Sequence, residues 1–349
     1  MARILLADDG IEFNGKTIEQ RPLGGVESSI VNLMQELAGR GHTVFVRNKC
    51  KAPLTHKGVD WCPIDDGDWP ENIDLYIANR GDKLIDRMPS AKRTVFWIHN
   101  PAVYIKKWRY LSKLWRVKPA IVYIGDYHAT TYPAWMPGGE RVVIPYGMPD
   151  DFCHAEPLKT APAPRAIFTS NPLRSLDWLL DLWANKIEPQ VPGAEFHLFT
   201  GAATYGSVGD KKAEAMAAVI KQAESLEGQG IKVRGPVSKY VLIEEFKNAR
   251  CMLYRGDINE TFCLAVGEAQ ASGVPTVVRD LGSVVERVKD GKTGFVAKSD
   301  QAFVDNALAL LRDEALWKSQ HDAALDLQRS WLWPDAAKRF EQLIETKIK

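Results

Sequence analysis

Apolar residues in this chain fall into short runs of three to five, separated by stretches in which they recur every third or fourth position. Such alternation predicts strands and helices in turn, the pattern of an α/β fold with helices on both faces of parallel sheets. Ile4 to Ala7 and Val44 to Val46 read as strands. Between them Val26, Ile30, Leu33, Met34 and Leu37 line one face of a helix from Val26 to Ala38, which Gly39 and Gly41 end. Further strands are expected at 75–78, 94–98, 121–124 and 142–144, completing one Rossmann-like unit. The segment His154 to Pro164 carries three prolines and predicts an extended linker. The pattern then restarts, with strands expected at 166–169, 195–199, 231–234, 251–254 and 276–278. The resulting division is a first domain over 1–153, a linker over 154–165, a second domain over 166–332, and a final helix over 333–349 that returns to the first domain.

A chain of 349 residues is long for one core, which agrees with two domains. Lys and Arg total 45 against 44 Asp and Glu, so no basic excess points to a nucleic-acid partner. Cys50, Cys62, Cys153, Cys251 and Cys263 are odd in number and form no C-x-x-C pair, which fits a reducing cytoplasm and no zinc site. The start of the chain turns acidic at Asp8-Asp9, too early for a secretory signal, and no apolar run is long enough to span a bilayer.

Candidate chemistry gathers where predicted strands end. Glu260 and Glu268 flank an expected helix start after the 251–254 strand, about 12 Å apart along a helix axis. Amides of Thr261, Phe262, Cys263 and Leu264 at such an N-terminus suit a diphosphate. Arg174, permanently charged and multidentate, stands near the start of another helix, and Arg255 is a further cation. Gly24 and Gly25 open the first long helix without a Cβ to block a ligand. His99 closes the 94–98 strand, at the face where α/β folds bind ligands. Tyr104 to Lys118 interleaves cations with aromatics and contains no acid, a composition suited to an anionic membrane surface or acceptor. Asp66-Gly67-Asp68 precedes Trp69-Pro70 in an expected loop and is discounted as a metal motif.

Glu260 to Glu268, with the Gly273-Val274-Pro275 and strand after it, resembles the E-x7-E signature of the family four retaining glycosyltransferases, also described as glycosyl transferases group 1. Gly291 to Val296 resembles that family's Gly-x-x-Gly-hydrophobic segment. Gly24-Gly25 with the following helix and Gly39 to Val44 resembles its first helix and second strand. The resemblance implies a GT-B fold, two Rossmann-like domains whose parallel sheets face across a cleft. It also implies transfer of a hexose-type sugar, with retention, from a nucleotide-diphosphate sugar to a glycan or lipid-linked acceptor. No essential metal or other cofactor is implied. The cysteine pattern and the 104–118 segment, rather than the resemblance, set the expected location as the cytoplasm, at the inner face of the membrane.

Residue by residue, the resemblance makes His99 and Glu260 catalytic. It assigns Gly24, Gly25, Ser170, Asn171, Arg174, Val237, Thr261, Phe262, Cys263, Leu264 and Glu268 to the donor. The family usually has lysine at the position of Arg174 and an arginine several residues earlier, where this chain has Ser170 and Asn171. A sugar-nucleotide epimerase, a phosphorylase-like enzyme and a silent nucleotide- or carbohydrate-binding scaffold share the twin-domain plan. Nicotinamide chemistry is disfavoured because no G-x-G-x-x-G follows the first strand.

Overall fold

The computed structural model describes residues 1–66, 69–201 and 212–345. Asp68 of the discounted metal motif and the last residues of the expected final helix lie outside the described residues. The chain divides into two compact units, Met1–Gly147 with Leu332–Lys349, and Met148–Trp331.

In the first unit the described residues form an eight-stranded sheet from β1 (Arg3–Asp8), β2 (Thr43–Asn48), β3 (Leu54–His56), β4 (Val59–Pro63), β5 (Leu75–Asn79), β6 (Arg93–Trp97), β7 (Ala120–Tyr123) and β8 (Arg141–Val143). Their order is β3-β4-β2-β1-β5-β6-β7-β8. Every neighbouring pair is parallel except β3–β4. The hydrophobic runs do not reveal that hairpin, because its strands alternate in polarity. Its signal is Lys57-Gly58, both at positive φ (46° and 74°), the backbone a two-residue turn needs. Central strands β1 and β5 are buried almost along their length, as parallel strands covered on both faces must be.

The Gly25–Gly39 helix buries Ile30, Val31, Leu33, Met34 and Leu37. The Trp333–Glu345 helix buries Trp333, Ala336, Ala337, Phe340 and Leu343 in this same unit. Phe340 meets Trp97 edge-on at 5.3 Å, and Glu341 accepts two hydrogen bonds from Arg40 at 2.7 and 2.8 Å and contacts His42 Nε2 at 2.8 Å.

In the second unit, β9 (Arg165–Phe168), β10 (Glu195–Leu198), β11 (Ile231–Val233), β12 (Cys251–Tyr254), β13 (Thr276–Arg279) and β14 (Gly294–Ala297) form a wholly parallel sheet ordered β11-β10-β9-β12-β13-β14. The chain steps outward from β9 to β11, then returns to start again at β12. The Gly-x-x-Gly segment is the entry to edge strand β14. Gly294 pairs with Thr276, and a Cβ on Gly294 would sit 2.1 Å from the Thr276 carbonyl oxygen, so the glycine is required by the close approach of β13.

One expected boundary shifts. The boundary falls after Gly147 rather than after 153, because Met148 N–H donates to Trp331 O (3.1 Å) and Phe152 packs on Phe246. The proline-rich segment has no helix or strand, in keeping with the extended conformation expected of it, and it is fastened to the second unit. Leu158 N–H donates to His321 Nε2 (2.9 Å) and Arg329 Nη2 donates to Ala155 O (2.6 Å).

Candidate functional site

Strand order decides where a ligand can enter the second unit. Between β9 and β12 the sheet reverses its winding, so the loops leaving their carboxyl ends diverge and open a crevice. Residues 169–175 follow β9 and residues 255–263 follow β12, and these loops carry Ser170, Asn171, Arg174, Glu260, Thr261, Phe262 and Cys263.

Arg174 Nη1 lies 3.3 Å from Asp257 Oδ1. Burial works against its charge, but Glu260, Tyr254 and Asp257 beside it hold its pKa above the ordinary value. Glu260 accepts a hydrogen bond from Tyr254 OH at 2.7 Å. Burial raises the Glu260 carboxyl above its usual range, and Arg174 pulls it partly back. Ser170 Oγ is 3.5 Å from Tyr254 OH, and Asn171 Oδ1 accepts from Leu173 N–H at 2.8 Å. Arg255 donates to Ser175 Oγ (2.9 Å), with its guanidinium 5.4 Å from the Trp178 ring centre. A cation, a carboxyl and a phenol thus share one sheet edge.

The helix expected at Thr261 starts later. It spans Leu264–Ala271, and its N-cap Cys263 has φ 61° and ψ 75°. A left-handed residue cannot continue a right-handed helix backwards, so Thr261 and Phe262 belong to the loop. Both side chains are buried, with the Arg287 guanidinium 4.1 Å from the Phe262 ring centre. No glycine or proline marks this break, and the 12 Å axial span expected between Glu260 and Glu268 does not apply. The first amide bonded within the helix is Gly267 N–H, to Cys263 O at 3.4 Å, which leaves Leu264 and Ala265 in the first turn. The loop is braced from β13's side, where Ser283 N–H donates to Glu260 O (3.2 Å).

Glu268 is buried rather than solvated, and Lys239 Nζ donates to its Oε1. Lys239 begins the Lys239–Lys247 helix, capped by Ser238, immediately after Val237. Half-buried Val237 is thereby carried to the sheet edge where Glu268 stands. Lys239 gave no motif signal; only folding pairs it with Glu268.

The first unit has its own winding reversal between β1 and β5, and a polar network lies there. Asn79 Nδ2 donates to Asp8 Oδ1 (2.6 Å), Arg80 reaches Asp8 (3.2 Å) and Glu27 (2.9 Å), and His99 lies between Asn79 and Tyr146. His99 Nε2 donates to Asn79 Oδ1 at 2.5 Å, and Nδ1 accepts from Tyr146 OH at 2.5 Å. Burial, with Arg80 and His128 nearby, holds its pKa well below the usual histidine value, so the ring is neutral. His99 is therefore a buried network member and not a side chain facing solvent. Gly24 caps the Gly25–Gly39 helix, and a Cβ there would lie 2.5 Å from Glu27 Oε2. Its glycine lets the Glu27 carboxylate fold back over the positive helix end. Asp8, Asn79, Arg80 and Tyr146 escape sequence reasoning, although Asp8 and Asn79 end their strands as His99 follows its own.

Residues 164–313 match the family model described as Glycosyl transferases group 1. D-inositol 3-phosphate glycosyltransferase of Corynebacterium aurimucosum is 37% identical over 87 residues, covering 24% of this chain and 21% of that protein. The chain thus spans about a fifth of the length of this curated relative. Among solved structures, sucrose-phosphate synthase from Thermosynechococcus elongatus superposes with a TM-score of 0.77 at 14% identity, covering 99% of this chain and 98% of that one. Anabaena Alr3699/HepE in complex with UDP-glucose gives 0.73 at 14% identity, covering 99% and 100%. The fold is GT-B.

Proposed function

We propose, from a second unit that belongs to glycosyl transferases group 1, that the chain transfers a hexose-type sugar from a nucleotide diphosphate to a glycan or lipid-linked acceptor in polysaccharide or glycoconjugate biosynthesis. The observation that carries this reading is the convergence of Arg174, Glu260 and the start of the Leu264–Ala271 helix at the β9/β12 crevice, with Glu268 on that same helix.

In this reading Arg174 and the Leu264 and Ala265 amides take the diphosphate, a preorganised electrostatic role that grows as the leaving group gains charge. Glu260 orients the transferred sugar, Glu268 receives the ribose hydroxyls, and Val237 borders the base. Thr261, Phe262 and Cys263 shape the loop through buried side chains, and Ser170 and Asn171 stand where the family has its arginine. The acceptor oxygen attacks the anomeric carbon from the face that the diphosphate leaves. The bond from that carbon to the diphosphate breaks as the new glycosidic bond forms, and the acceptor proton passes to the departing diphosphate oxygen, so configuration is retained. His99 is assigned a positioning role within the first unit, because both ring nitrogens are already engaged.

The test is a thermal-shift screen of UDP-, GDP- and ADP-linked hexoses. A ligand at a hundred times its Kd stabilises the fold by about 2.7 kcal/mol. One such donor should raise the melting temperature, and Arg174→Gln should abolish most of that rise. Its slow hydrolysis, followed by proton NMR, should first yield the anomer of the donor. If no sugar nucleotide stabilises the protein, the reading fails; an inverted first product removes retention alone.

A further inference from the structure

The first unit carries an exposed surface to which the proposed transfer reaction assigns no residue. The Trp108–Val117 helix buries Tyr110 and Leu114 in the core, with Leu111 and Val117 packed against the same cluster. Trp108 and Trp115 are seven residues apart, so at about 100° per residue they align within about 20° of each other, roughly 40–60° beyond Leu111 and about 100–160° from Tyr110 and Leu114. Both project into solvent, 79% and 71% exposed. Val103 in the preceding turn and Trp135 are each 65% exposed. Ala102 N–H on Thr131 Oγ1 (3.0 Å) ties the segments that carry them. The core therefore accounts for Tyr110, Leu111, Leu114 and Val117 and leaves the two indoles at the exposed edge of this apolar arc unexplained.

Charge identifies what the exposed indoles fit. No acid occurs from Val103 to Lys118. Lys113 and Arg116 pair with Asp86, and Arg109 pairs with Asp82. Lys106, Lys107 and Lys118 are exposed and form no ion pair among the described residues. The chain as a whole is almost neutral at +1, so this cationic excess is local. Indoles beside free ammonium groups match the headgroup level of an anionic bilayer, where tryptophan rings settle and lysines meet lipid phosphates. A second copy meeting this surface about a twofold axis would bring the same cations together, which disfavours self-association.

We propose that this face docks the chain on an anionic lipid surface, with Trp108 and Trp115 entering the headgroup layer and Lys106, Lys107 and Lys118 bound to lipid phosphates. The proposal stands on the first unit and requires no sugar nucleotide, so its test is separate from that of the transfer reaction. Intact protein is floated with vesicles of phosphatidylcholine alone and with phosphatidylglycerol added. Binding should need the anionic lipid and fall with salt, and brominated lipid should quench the tryptophan emission. Lys106→Gln with Lys107→Gln should lower the partition coefficient roughly 20- to 30-fold, as about fivefold per cation implies. Trp108→Ala with Trp115→Ala, at unchanged melting temperature, should abolish quenching and flotation. The proposal is overturned if wild-type protein does not float or if the lysine pair leaves flotation unchanged. It is equally overturned if light scattering shows the tryptophan pair holding a dimer that ignores lipid.

Discussion

Removing either member of the Lys239–Glu268 pair deletes the same ion pair, yet the two substitutions should differ in cost. The Glu268 side chain is 5% exposed and that of Lys239 is 30% exposed. Lys239→Met strands a carboxylate out of water, a change that costs about 3–5 kcal/mol when a buried pair is broken. Glu268→Gln keeps a polar group in place and leaves an ammonium that reaches solvent by rotation, so about 1–2 kcal/mol is expected. A unit of this size shifts by about 2–4 °C per kcal/mol. Scanning calorimetry should therefore show a fall of about 10 °C for Lys239→Met against about 4 °C for Glu268→Gln. The double variant should recover most of the larger loss, because no charge is then stranded. Titration calorimetry with the stabilising sugar nucleotide supplies the functional half. Glu268→Gln should weaken donor binding about 10- to 150-fold, the scale of a hydrogen bond to a charged group. Equal melting temperatures for the two single variants would refute the desolvation argument, and undiminished donor affinity would refute the ribose assignment.

Two further substitutions test the bracing of the site and of the final helix. Gly282 has φ 59°, and a Cβ there would lie 2.3 Å from Asp257 O and 3.1 Å from Glu260 O. Gly282→Ala should cost at least about 2 kcal/mol, from left-handed strain plus the clash, and reduce donor affinity by shifting Glu260. Wild-type values in urea denaturation and donor titration would show that the loop is not braced there. Glu341 is held at about 2 by its Arg40 hydrogen bonds, with a lesser contribution from His42. A depressed carboxyl pKa stabilises the fold above the unfolded value near 4.5, and that contribution disappears as pH falls toward 2. Glu341→Gln should therefore cost about 1–2 kcal/mol near pH 6, after allowance for its partial exposure, and the difference from wild type should narrow below about pH 4.5. A difference that stays constant on acidification would remove the ion pair as its source.

The sequence determined the α/β alternation, because strand runs and helix stripes are local periodicities set by which faces must be buried. Gly24 to Val44, Glu260 to Pro275 and Gly291 to Val296 carried the family resemblance for the same reason, each being one continuous segment. Three kinds of feature were decided only in three dimensions. The β3–β4 hairpin depends on edge pairing, and the late helix start depends on Cys263 adopting a left-handed backbone that no neighbouring residue announces. Partners far apart in sequence complete the set: Lys239 on Glu268, Tyr254 and Arg174 around Glu260, and Asn79 and Tyr146 on His99. Burial and hydrogen-bond pairing are properties of packed surfaces, and a linear pattern contains neither until the strand order has brought those surfaces together.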